Sequence, residues 1–78
     1  MPRYFFHIGG EHPASDPEGC DYGTLEDARQ DAVQAASEMV AEGIISGEDR
    51  SKDVFNIADE SGLTVLSVPF SVGLPVST

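Results

Sequence analysis

Leu25, Ala28, Ala32, Ala36, Met39 and Val40 recur at intervals of three and four, which places them in one apolar stripe on the one long helix this chain can make. Thr24 suits the N-cap. Asp27, three residues on, can reach back to it in a capping box while its charge favours the positive end of the helix dipole. The stripe continues toward Gly43 and ends near Ser46-Gly47, so the pattern predicts a helix from about Thr24 to Ser46. A stripe rich in alanine lets the helix axis come close to its neighbour, and the flanking segments indicate that the neighbour is a sheet.

Arg3-Tyr4-Phe5-Phe6-His7-Ile8 is aromatic and β-branched and runs into Gly9-Gly10, which reads as a strand and a tight hairpin turn. Pro13 in the return segment Glu11 to Ser15 cannot donate to a ladder, so any strand there is short and on an edge. Beyond the helix, Val54 to Ala58 and Leu63 to Val68 flank the turn-like Asp59-Glu60-Ser61-Gly62 and form a second hairpin, with Phe55 and Ile57 facing inward. A plain loop and a glycine bulge are both open at that turn, and a slip of one residue would invert every side chain. The expected fold is α+β: an antiparallel sheet from two hairpins with one helix on one face, in the order β-β-α-β-β. The domain spans residues 1–70, and residues 71–78 form a loose tail.

A chain of 78 residues buries only about 60% of its unfolded surface, and small domains of this kind usually need a staple or a partner. Cys20 is the single cysteine, which excludes an internal disulfide, and no zinc-type ligand spacing occurs. Self-association is the remaining staple, so a homodimer is expected. Four Lys and Arg against 14 Asp and Glu give a net charge of −10, which argues against a phosphate backbone as ligand. No apolar run is long enough for a membrane span and no export signal is evident, so a cytoplasmic protein without nucleic-acid or membrane partners is expected.

Asp27, Asp31, Glu38 and Glu42 fall within about 60° on a helical wheel, opposite the apolar stripe, and form an acidic line suited to a basic protein partner. Phe5, His7, Val54 and Val65 are candidates for a second, partly apolar sheet face, and residues 61–78 carry no charged side chain. Asp16, Glu18 and Asp21 surround a Pro-Gly turn and are candidate ligands for a hard cation such as calcium, although their spacing is not that of an EF-hand. His7 and His12, across the Gly-Gly turn, could form a pH-sensitive patch or add to a metal site. Glu18 and Asp21 beside Cys20 would weaken its thiol as a nucleophile. There is no Gly-x-Ser-x-Gly, phosphate loop or dinucleotide fingerprint. The expected role is a non-catalytic, self-associating interaction module without a cofactor; the alternatives are a small-molecule or metal-binding regulator and a neutraliser of a basic partner.

The blocks Met1-Pro2-Arg3-Tyr4-Phe5-Phe6-His7-Ile8, Asp16-Pro17-Glu18-Gly19, Leu25-Glu26-Asp27-Ala28-Arg29, Ile57-Ala58-Asp59-Glu60-Ser61-Gly62 and Val68-Pro69-Phe70 resemble a family of small uncharacterised proteins of rhizobial and related soil bacteria. That resemblance implies a free-standing bacterial domain of unknown function and supplies no catalytic residues. Pro17-Glu18-Gly19-Cys20 followed by Thr24-Leu25-Glu26-Asp27-Ala28 is similar to the turn and helix start of HicB-type antitoxins, small acidic domains that neutralise a basic toxin. Here the turn is shorter, Pro13 interrupts the preceding strand, and no C-terminal DNA-binding segment follows.

Overall fold

The computed structural model describes residues 2–73. Strand β1 spans Arg3–Gly9 and β2 Cys20–Asp21; helix α1 spans Leu25–Ser46; β3 is Val54–Ala58 and β4 Thr64–Pro69, followed by a 3₁₀ turn at Phe70–Gly73. The four strands form one antiparallel sheet in the order β2-β1-β3-β4, an α+β fold. The aromatic first strand and the strand after the helix are therefore neighbours at the centre, paired from Phe5 opposite Ala58 to Gly9 opposite Val54.

The N-terminal return differs from the expected hairpin. The segment Glu11 to Ser15 contributes one bridge, in which Ile8 and Ala14 exchange backbone bonds of 2.8 and 3.0 Å, and the second strand forms only at Cys20–Asp21. Pro13 lacks the donor that would extend the pairing. Gly9 stays in the strand, and Gly10 alone takes a positive φ, 110°. It does so where a Cβ would stand 2.8 Å from Asp53 Oδ1, so the main chain passes directly over that carboxylate.

Thr24 caps α1 as expected, its Oγ1 accepting from the Asp27 amide at 3.1 Å. At the other end Gly47 adopts φ 81°, and the amides of Gly47 and Glu48 both turn back to the Gly43 carbonyl, closing a Schellman-type end. Ala28, Ala32 and Ala36 are fully buried, and the helix packs on Phe55, Ile57, Val68 and Phe70. The expectation that Phe55 and Ile57 face inward is met. Phe70 completes the core from beyond β4: its amide donates to the Asp53 carbonyl at 2.9 Å, and its ring meets Phe55 at 4.7 Å between centroids. Ser71 to Gly73, expected within a loose tail, continue from Phe70 in the 3₁₀ turn; residues 74–78 of that tail lie outside the described residues.

The β3-β4 turn contains the glycine-permitted geometry. Gly62 has φ 90°, Asp59 Oδ1 accepts from the amides of Ser61 and Leu63, and Val65 is an extra residue opposite the step from Ile57 to Ala58. The free edge of β4 is thus blunted by this bulge at one end and by Pro69 at the other. Among the described residues, no helix is long and apolar enough to cross a membrane.

Candidate functional site

Asp53 is the best-connected side chain among the described residues and is almost fully buried, at 1% exposure. It stands between the α1-β3 connection and the loop after β1. Oδ1 accepts from the Glu11 and His12 amides at 2.8 and 3.1 Å; Oδ2 accepts from Arg50 Nε at 2.8 Å and faces His12 Nδ1 at 2.9 Å. The other ring nitrogen of His12 meets Glu48 Oε1 at 2.9 Å. Burial pushes the Asp53 carboxyl up, but the Arg50 and His12 side chains and the two amides outweigh it and hold the group below its ordinary value. Arg50 also lies over the Phe70 ring, 5.7 Å from its centroid. Both ring nitrogens of His12 thus face acids of the chain. This set of charges clamps the loop after β1 to the end of the helix.

Asp16 does comparable work at the other edge of β1. Its Oδ2 accepts from the Phe6 amide at 3.1 Å, at the position where β1 lacks a strand partner between Ala14 and Cys20, and its Oδ1 accepts from Gly19 and Glu18 at 3.1 and 3.3 Å. Burial raises this carboxyl, yet the amides of Gly19, Phe6 and Glu18 together lower it further. Of the other two candidate cation ligands, Asp21 pairs with Arg3, whose guanidinium also donates to the main-chain carbonyl of Glu18. Among the described residues no group of three or more His, Cys, Asp or Glu converges in the manner of a metal site. Asp16→Ala is expected to lower stability by about 1–2 kcal/mol, because three amides lose their acceptor. Urea denaturation would measure this, and hydrogen exchange at the Phe6 and Gly19 amides should accelerate with it.

The two histidines have separate partners. His7 lies on the sheet face away from α1, its Nδ1 accepting from the Asp16 amide at 3.1 Å and its ring stacked on Phe5 at 6.3 Å between centroids. Phe5, His7 and Val54 are half-buried on that face and Val65 is exposed. On the helix, Asp27, Asp31, Glu38 and Glu42 are all exposed. Asp31 accepts from the Tyr22 hydroxyl at 2.6 Å, and burial together with Asp31 raises the Tyr22 phenol.

Each Lys and Arg side chain has an acid of the chain beside it: Arg3 pairs with Asp21, Arg29 with Glu26 and Arg50 with Asp53, and the exposed Lys52 stands 4.0 Å from Glu11. None of the four reaches the acidic line of α1.

Residues 3–71 match the family model of a domain of unknown function, DUF6894. The chain belongs to this family. No curated protein and no solved structure matches it. In this DUF6894 domain the blocks Asp16-Pro17-Glu18-Gly19 and Val68-Pro69-Phe70 acquire structural reasons: the first supplies a carboxylate to β1, and the second seats Phe70 in the core. Sequence reading missed the Asp53 cluster. Asp53 ends a polar stretch that reads as a connector, and its partners at residues 11 and 12 are brought to it only by the pairing of Gly9 with Val54.

Proposed function

We propose that this domain is a non-catalytic interaction module that associates with a second copy of itself and offers the acidic face of α1 to a cationic protein. The observation that carries this reading is the distribution of charge. All four Lys and Arg are paired with acids elsewhere, while Asp27, Glu38 and Glu42 stand exposed along one side of the helix without a neighbouring cation. Two of these, Glu38 and Glu42, also lie in the half of the helix where the dipole disfavours anions. Like charges four residues apart cost roughly 0.2–0.5 kcal/mol per pair, so a line of this kind opposes the free helix and is relieved by a basic surface. The half-buried and exposed Phe5, Val54 and Val65 on the helix-free sheet face support self-association.

The test combines two measurements. Light scattering over about a hundredfold concentration range is expected to give a dimer. Pull-down from a bacterial lysate at low salt is expected to retain a basic protein, and to lose it with an Asp27→Asn, Glu38→Gln, Glu42→Gln variant of unchanged melting temperature. A monomer at every concentration, together with no capture that depends on these three carboxylates, would remove the proposal.

A further inference from the structure

Resting on that reading, we infer that the basic partner is gripped at the C-terminal end of α1, where an apolar slot rimmed by carboxylates receives a Lys or Arg side chain. Two open depressions lie there, of about 200 and 140 Å³, and Gly43, Glu48 and Arg50 line both of them. Val40 and Ile44 give the larger its apolar wall opposite Glu48 and Asp49, and Met39 lines the smaller beside Glu42 and Glu48.

Three observations select the occupant. The volumes fall below the roughly 300–1,000 Å³ of sites that enclose a small-molecule ligand, and both hollows open to solvent, which suits one inserted side chain at a time. The electrostatics favour a cation. The last turn of α1 contains no basic residue, and of the three rim carboxylates Glu48 faces His12 and Asp49 accepts from Ser51, while Glu42 has no salt bridge of its own among the described residues; the one local guanidinium, Arg50, is turned to Asp53 and Phe70. Beside the slot, Ile44 and Ile45 are 67% and 87% exposed, a step of apolar surface for the aliphatic stem of a long cationic side chain and its neighbours.

Amide chemical shifts of the ¹⁵N-labelled full chain would test this during titration with an acetylated, amidated Leu-Lys-Leu-Arg-Leu peptide at low salt. The counterpart peptide with glutamate at both charged positions serves as control. The expected result is shifts centred on Val40, Ile44, Gly47 and Asp49 with the cationic peptide only, and an affinity about tenfold weaker for Ile44→Ser and for Glu42→Gln. Both side chains are exposed, so melting temperatures should stay as in the parent and exclude misfolding as the cause. Shifts centred on the first turns of α1, with affinity unchanged by either variant, would overturn the slot while leaving the acidic face as the binding surface. Absence of binding by the cationic peptide would overturn the slot, and the low-salt pull-down would then decide the broader reading separately.

Discussion

Asp53→Asn is expected to remove a large share of this domain's stability. The substitution keeps the shape of the side chain but removes the charge that holds Arg50 and His12 and turns an amide toward groups that are already donors. Breaking a buried pair by removing one partner typically costs about 3–5 kcal/mol, and a domain of this size holds only about 4–12 kcal/mol in total. At roughly 4–8 °C per kcal/mol, the melting temperature followed by circular dichroism should fall by at least about 12 °C. A drop of only a few degrees would show that the cluster is incidental to the fold. The same variant fixes the sign of the acid response. Because the Asp53 carboxyl is held below its ordinary value, its contribution is complete above about pH 4 and is lost as the pH falls through the folded-state value. The stability gap between the parent and Asp53→Asn should therefore be widest near neutrality and shrink on acidification. A gap that grew toward low pH would contradict the assignment.

Gly43→Ala should be the most damaging of the glycine-to-alanine changes in and just after the helix, although alanine is the better helix former by about 1 kcal/mol. A Cβ on Gly43 would stand 2.2 Å from the Glu48 carbonyl oxygen and 3.1 Å from Arg50 Cγ. The nearer atom belongs to the main chain, so the turn from Gly47 to Arg50 must shift, and with it the Arg50 bond to Asp53. Overpacking of this sort costs about 1–3 kcal/mol, and loss of the Schellman bonds to the Gly43 carbonyl adds to it. Gly47→Ala is the internal comparison. Gly47 has φ 81° and open space around it, so that change carries only the left-handed backbone cost of about 1–2 kcal/mol. Urea titration of the two variants should place Gly43→Ala below Gly47→Ala. The reverse order would mean that the turn yields easily and that the close approach at Gly43 is not a constraint.

These two sites differ in how far they could be read from the chain. Gly43 was visible as the end of an apolar stripe, but nothing local says that a main-chain oxygen will press against it, since that depends on how the chain leaves the helix. Asp53 carried no signal at all, because one acid in a run of polar residues looks the same buried or solvated. Asp16, close in sequence to Glu18 and Asp21, has the look of a cation ligand; in the structure its oxygens accept from the three backbone amides that β1 and the turn leave without strand partners. The acidic line of α1 was fully legible, because helical periodicity alone fixes which residues share a face.

By itself the sequence determined the helix with its cap and alanine stripe, the alternation of faces along the strands, and the imbalance of charge, since each follows from local geometry and residue type. Only the tertiary structure decided the strand order, the two-residue β2, the place of Phe70 in the core and the assembly of Glu48, His12, Asp53 and Arg50. These depend on which distant segments pair, and a pairing between β1 and β3 is chosen by the burial of both strands together rather than by either segment alone.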